Sequence, residues 1–256
     1  MGFDEMMAGK EPFFWGGNTN EAVLCIHGFT GSPGIYRQLG RRLKAAGFTV
    51  SAPLLPGHGS QPEALNRVGA QDWIDAADAE YRTLANIFER VHIVGLSLGG
   101  AIATLLGAGH AGQNSLGKLV LMAPGYSLNP ALLQRIRPFL ESGGQNNEMM
   151  IPIPSRQPEG NELDECIFGY AGAPVQSVRH LLNLGKQALD AVPEVKSPTL
   201  LLYTAADVVA DPALCAEAAK AFTAPVEVVC FEQSEHSLLL GCDREETMSR
   251  IVDFLR

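Results

Sequence analysis

The sequence is short of positive charge. Its 256 residues include 19 Lys and Arg against 28 Asp and Glu, which gives a net charge of −9. Because binding to a phosphate backbone needs a basic face, this balance argues against nucleic acid as a partner. Hydrophobic residues make up 46% of the chain and charged residues 18%, a composition that predicts a folded globular protein.

Paired cysteines and long apolar runs are also missing. The five cysteines are widely spaced and form no CxxC pair, so neither a zinc ribbon nor a thioredoxin-like site is indicated, and we expect no metal site. No apolar run approaches the roughly 18 residues of a membrane span. The first ten residues lack the apolar segment of a secretory signal. We therefore expect a reduced, cytoplasmic protein without a membrane span. No sequence pattern indicates an oligomeric state.

Short apolar strands alternate with helical stretches along most of the chain. Strands are predicted at 13–15, 23–26, 49–55, 91–94, 118–122, 199–203 and 226–231. Helices are predicted at 33–46, 71–89, 101–107, 212–221 and 245–255. Because most of these strands are almost continuously apolar, we expect an α/β fold whose mostly parallel central sheet is flanked by helices.

Residues 126–192 interrupt this alternation. The segment contains a Gly- and Asn-rich run at 143–147 and a helix-like stretch at 175–189, but no strand of sheet-core character. Ligands of α/β proteins bind at the carboxyl edge of the sheet. We therefore expect 1–125 and 193–256 to form the core and 126–192 to form a lid or cap insertion over that edge. A surface excursion without a role is the alternative.

The sharpest motif is GLSLG at 95–99. It follows a predicted strand and opens a predicted helix, which is the setting of a nucleophile elbow. In such a turn Ser97 takes a positive φ and lifts its hydroxyl above the sheet, while Gly95 and Gly99 let the two backbones nearly touch. A serine that merely caps a helix is the alternative.

A tetrahedral oxyanion needs N–H donors from separate segments of the chain. The N–H of Leu98 directly follows the candidate nucleophile, and the N–H of Phe29 lies in the loop HGFTG that follows the strand at 23–26. These two groups are the candidate oxyanion hole. We expect His27 in the same loop to have a structural role.

Two further residues complete a candidate catalytic triad. Of the six histidines, His236 alone follows the last predicted strand, where a loop can aim it at Ser97. Asp207 and Asp211 both follow the preceding strand. Asp211 precedes Pro212, as a helix N-cap does, so we assign Asp207 to orient the histidine.

The segments CIHGFTG at 25–31, LLPGHG at 54–59 and GLSLGG at 95–100 stand in the order found in the α/β-hydrolase superfamily. The chain resembles this family over essentially its whole length, and looks most like small bacterial carboxylesterases related to monoacylglycerol lipases. The resemblance implies a triad of Ser97, Asp207 and His236 and an oxyanion hole at Phe29 and Leu98. It also implies a small-molecule ester substrate with a short to medium acyl chain, and no cofactor.

Eight apolar residues of the predicted lid are candidates for the wall of an acyl pocket. They are Met149, Met150, Ile151, Ile153, Ile167, Phe168, Leu181 and Leu182. Alternatively, they only attach the lid to the sheet. Because the pocket and not the triad selects the substrate, a monoacylglycerol lipase, a thioesterase and another triad hydrolase or acyltransferase stay open as alternatives. The remote alternative is a non-catalytic ligand receptor with the same fold.

Overall fold

A computed structural model of the chain describes residues 9–142, 149–153 and 169–256. Its strands are β1 (Phe13–Trp15), β2 (Glu21–Ile26), β3 (Thr49–Ala52), β4 (Arg90–Leu96), β5 (Leu116–Met122), β6 (Met150–Pro152), β7 (Gly172–Pro174), β8 (Thr199–Thr204) and β9 (Val226–Phe231). Its α-helices are α1 (Arg37–Ala45), α2 (Ala70–Ala85), α3 (Leu98–Gly109), α4 (Pro130–Glu141), α5 (Val175–Ala191), α6 (Pro212–Ala221) and α7 (Arg244–Leu255). Short 3₁₀ helices cover Pro33–Tyr36, Pro62–Arg67 and Val192–Glu194.

Seven strands form the central sheet in the order β1-β3-β2-β4-β5-β8-β9. All neighbouring pairs are parallel except β1 and β3, which are antiparallel. Because β2, β4, β8 and β9 run in the same direction, the loops that follow them lie along one edge of the sheet. This edge carries all the residues predicted for the triad and the oxyanion hole.

Burial explains why the central strands are continuously apolar. Residues 22–26 of β2 are buried, and the side chains of the sheet contribute alternately to two apolar clusters. One cluster includes Trp73 of α2 and most of α3, and the other includes Leu39 of α1 and Met248 of α7. Helices therefore cover both faces of the sheet, as the sequence predicts. None of the helices in the described ranges has both the length and the apolar character that crossing a bilayer requires.

The segment 126–192 contains α4, then β6 and β7, which pair in a separate two-stranded antiparallel sheet, and then α5. The second half of α5 packs closely on the core, because a Cβ at Gly185 would lie only 2.2 Å from the carbonyl oxygen of Gly125. Leu184 and Ala188 belong to the same apolar cluster as α3 and the sheet. The domain division at 125 and 193 stays a prediction, and so does a lid role for 126–192.

Candidate active site

Ser97 sits in a sharp turn between β4 and α3. Its backbone has φ 56° and ψ −115°, the positive φ that the motif predicts. Close backbone approach requires glycine on either side of the serine. A Cβ at Gly95 would lie 2.2 Å from the carbonyl oxygen of Gly99, and a Cβ at Gly99 would lie 1.9 Å from that of Ile26. The GLSLG segment therefore has the backbone geometry of a nucleophile elbow, with Ser97 at the end of the sheet.

His27 holds the loop that follows β2. Its Nε2 accepts a hydrogen bond from the Leu55 N–H at 3.0 Å, so its Nδ1 carries the proton and donates to the carbonyl oxygen of Gly28 at 2.9 Å. Complete burial, with His58 nearby, lowers the pKa of His27 to about 3. The imidazole is thus neutral, and both of its ring nitrogens are hydrogen bonded, which agrees with the structural role expected for it.

Two backbone N–H groups at the edge of the sheet are available to an anion. Within the described ranges, neither Phe29 nor Leu98 donates its N–H to another group. The N–H of Leu98 is at the first turn of α3, where the helix dipole favours negative charge. Gly125 keeps the space in front of it open, because a Cβ there would lie 3.2 Å from the Leu98 nitrogen. No sequence motif marks Gly125 for this role.

The predicted acid and base are hydrogen bonded to each other. His236 Nδ1 lies 2.8 Å from Asp207 Oδ2, with side-chain exposures of 15% and 2%. The other carboxylate oxygen of Asp207 accepts from the N–H groups of Val209 at 2.8 Å and Ala210 at 2.9 Å. Because Nδ1 donates to the carboxylate, Nε2 of His236 is left as the acceptor. Asp211 instead caps α6 by accepting from the Ala213 N–H at 2.9 Å.

Ser97 and His236 line the same cavity, which has a volume of about 200 Å³. Most of its wall is apolar. The insertion contributes Leu128, Leu132, Ile136, Ile151, Ile153, Val178, Leu181 and Leu182. The described residues contain no group of three or more His, Cys, Asp or Glu side chains placed to hold a metal ion. The arrangement offers a candidate nucleophile, a candidate base, two candidate anion donors and an apolar pocket.

Only some of the residues predicted for the pocket wall line the cavity. Four of the eight candidates line the cavity: Ile151, Ile153, Leu181 and Leu182. Met149 and Met150 do not line it. Met149 instead packs against the apolar core, and its sulfur accepts a long hydrogen bond from the Ser142 hydroxyl. Ile167 and Phe168 lie outside the described residues.

Sequence reasoning missed the contribution of α4. This helix places Leu132 and Ile136 in the cavity wall, and its start is marked in the sequence by the Asn129-Pro130 pair, a usual helix N-terminus. Tyr170, which precedes β7, also lines the cavity and was not predicted. Its hydroxyl donates to the Gly57 carbonyl at 3.1 Å and accepts from the Ser60 N–H at 3.0 Å.

Comparison with known proteins agrees with this geometry. The chain is 26% identical over 253 residues to a thermostable monoacylglycerol lipase of Bacillus sp. strain H-257, covering 97% of this chain and 95% of that protein. A carboxylesterase of Bacillus subtilis strain 168 is 41% identical over 98 residues, which cover 38% of this chain and 39% of the carboxylesterase. A solved structure from work on LipS and LipT, two metagenome-derived lipolytic enzymes, superposes with a TM-score of 0.84 at 26% identity, covering 98% of this chain and 99% of that one.

A family model extends the match over most of the chain. The model is described as serine aminopeptidase, S33, and it matches residues 17–243, a range that contains Ser97, Asp207 and His236. The resemblance inferred from the three sequence motifs is thereby confirmed. The chain belongs to the serine aminopeptidase S33 family and is an α/β-hydrolase enzyme of the esterase and lipase type.

Proposed function

We propose that the protein is a serine carboxylesterase that hydrolyses esters of short- to medium-chain carboxylic acids through an acyl-enzyme. The observation that carries the proposal is the hydrogen bond from His236 to Asp207, made at the edge of an apolar cavity that Ser97 also lines. The names of the relatives, a monoacylglycerol lipase and a carboxylesterase, support an ester as the substrate.

Acylation begins when Ser97 Oγ attacks the carbonyl carbon of the ester. His236 Nε2 takes the serine proton and passes it to the departing alcohol. Asp207 holds the imidazole in the tautomer with the proton on Nδ1 and stabilises the imidazolium that forms. The N–H groups of Phe29 and Leu98 bind the oxyanion, and because they donate to no other group of the described residues they need no rearrangement.

Deacylation repeats the same proton transfers with water as the nucleophile. His236 removes a proton from water, the hydroxide attacks the acyl carbon, and the proton then returns to Ser97 Oγ. The products are a carboxylic acid and an alcohol, and the residues are restored to their starting states. No other group is needed for this balance of atoms and charge.

The cavity wall favours an aliphatic acyl group. Leu132 and Ile136 of α4 face the same space as Leu181 and Leu182 of α5, and a wall of this kind binds hydrocarbon chains by burial of apolar surface. Because the space is bounded, we expect activity to fall once the chain outgrows it.

A monoacylglycerol lipase is the second candidate. It is supported by the relative from Bacillus sp. strain H-257, because that match covers nearly the whole of both chains. Such an enzyme carries out the same reaction on an ester of glycerol with a longer acyl chain. The acyl-chain preference therefore separates the two candidates.

The test is a series of p-nitrophenyl esters from acetate to palmitate. We expect kcat/KM to be highest at a short or medium chain and to fall by about 10⁴- to 10⁶-fold in Ser97→Ala. Ser249→Ala, on the exposed side of α7, is the control and should match wild type. A steady rise to long chains would favour the lipase, and activity of Ser97→Ala within tenfold of wild type would refute the proposal.

A further inference from the structure

We infer that Asn129 is a positioning residue, which holds the Asp207 loop in place and fastens it to the helix that lines the cavity. The inference rests on the proposed function, because it assigns Asp207 the task of orienting His236. It concerns a residue that touches neither the substrate nor the reacting atoms.

The side-chain amide of Asn129 binds the main chain of the acid itself. Its Nδ2 donates to the carbonyl oxygen of Asp207 at 2.7 Å. Its backbone N–H donates to the carbonyl oxygen of Val209 at 2.8 Å. Val209 is also one of the two residues whose N–H groups bind the Asp207 carboxylate. Asn129 is therefore hydrogen bonded to the acid itself and to one of the two residues that hold its carboxylate.

These bonds belong to a short antiparallel pairing between 127–129 and 207–211. Leu128 and Ala210 form a β-bridge, and the Asp211 N–H donates to the carbonyl oxygen of Ser127 at 3.1 Å. Leu128, Val209 and Ala210 also line the cavity. The acid loop and the start of the insertion are thus one structural unit beside the site.

The other end of the same amide caps α4. Asn129 Oδ1 accepts from the Ala131 N–H at 3.0 Å, and Pro130 occupies the first helical position. Capping alone needs only an acceptor, which Ser, Thr or Asp supplies as well as Asn. Asn alone among the good caps also carries N–H donors, and this is the group bound to Asp207. The requirement for asparagine therefore comes from the acid loop and not from the helix.

A matched position lies at the far end of the same pairing. Asp211 caps α6 through Oδ1 and is also followed by proline, but among the described residues its side chain accepts a bond only from its own helix. Asn129→Ser and Asp211→Ser both supply a hydroxyl that can cap the helix, and only the first removes a bond to Asp207. Asn129→Asp, which keeps the side-chain shape and the cap while losing the donors, is the second test variant.

The experiment measures kcat and KM for p-nitrophenyl butyrate, with urea unfolding and proton NMR of each variant. We expect kcat to fall by about 10- to 100-fold in Asn129→Ser and Asn129→Asp, with KM within twofold of wild type, because a displacement of about 1 Å in a catalytic group has effects of this size. We also expect the deshielded Nδ1 proton of His236 to shift or broaden. Asp211→Ser should keep wild-type kcat and an unshifted resonance.

The result separates three possibilities. If Asn129→Ser and Asp211→Ser lose the same kcat and the same stability, the asparagine is only a helix cap and the inference is wrong. Wild-type kcat in both Asn129 variants would also overturn it. If the wild-type protein itself neither hydrolyses the ester nor is labelled at Ser97 by a fluorophosphonate, the proposed function fails and not this assignment alone.

Discussion

The backbone N–H of Tyr170 donates a 3.1 Å hydrogen bond to the carbonyl oxygen of Thr30, the residue directly after Phe29. Thr30 has φ 62°, a left-handed conformation that a β-branched residue rarely adopts. The loop carrying the candidate oxyanion donor is thus held by a contact from the insertion. The Tyr170 hydroxyl extends this contact to the loop at 57–60.

Tyr170→Phe tests this support. The variant removes hydrogen bonds to Gly57 and Ser60 but keeps the ring and the backbone contact to Thr30. We expect the free energy of unfolding to fall by about 1 to 2 kcal/mol, because each net hydrogen bond contributes about 0.5 to 1.5 kcal/mol. We also expect kcat/KM for p-nitrophenyl butyrate to fall several-fold. Tyr203→Phe on β8, at a half-buried position away from the lining of the cavity, is the control and should leave kcat/KM unchanged.

Asp207→Asn separates the two candidate acids. An amide at 207 can present its NH₂ group to His236 and reverse the imidazole tautomer, so we expect kcat to fall by about 10³- to 10⁴-fold. Asp211→Asn keeps an oxygen that can cap α6 and should retain wild-type kcat. The reverse pattern in steady-state kinetics would show that the acid is misassigned.

Two glycines at opposite ends of α3 test whether the close backbone packing at the turn around Ser97 requires glycine. A Cβ at Gly99 would overlap the backbone of Ile26, so we expect Gly99→Ala to unfold the chain or to lower its stability by several kcal/mol. At Gly109 a Cβ meets no atom within 4 Å. Gly109→Ala should therefore match wild type or gain up to about 1 kcal/mol. Urea denaturation measures both, and equal midpoints would contradict the expectation.

Two buried histidines should make the fold sensitive to acid. Burial lowers the pKa of His27 to about 3 and that of His58 to about 4, against about 6.5 in an unfolded chain. Above pH 6.5 both are neutral in either state. Below pH 6.5 the histidines are protonated in the unfolded chain but stay neutral in the folded protein. As the pH is lowered, the free energy of unfolding therefore falls by about 1.4 kcal/mol per pH unit for each histidine, until the pH reaches the pKa of that histidine in the folded protein.

Urea titrations at pH 7.5, 6.0 and 5.0 measure this dependence. Replacing His58 by Gln removes one of the two groups while an amide can still donate to the Pro56 carbonyl that His58 binds. We expect the slope of stability against pH to decrease by about one proton in the variant. An unchanged slope would mean that His58 accepts a proton in the folded state.

The regular elements of the core could be predicted from local pattern. The helix at 212–221 and the strand at 226–231 match α6 and β9 residue for residue, because an Asp-Pro start and an apolar β-branched run are local signals. The strand predicted at 49–55 ends instead at Ala52. Beyond it the chain turns through Gly57 and Gly59, both with positive φ, and a local apolar run does not reveal that turn.

The segment 126–192 was harder to predict because none of its described strands pairs with the central sheet, and its helices are placed by tertiary packing. Met149 and Met150 were as apolar as Ile151, and only the tertiary arrangement decides which of them faces the cavity. Leu132 and Ile136 were missed for the same reason. The bond from Asn129 to Asp207 joins residues 78 apart in sequence, and no local pattern reports such a contact.

The order of the strands divides the proposed machinery between two lengths of chain. Ser97 and the Phe29 loop precede the insertion, whereas Asp207 and His236 follow it and reach the site only when β8 pairs with β5. A fragment ending before β8 would carry a nucleophile without a base, and the complementary fragment a base without a nucleophile. Two such fragments fused to separate binding partners would regain hydrolysis only on reassembly, so the fold offers a natural division point for a split-enzyme reporter.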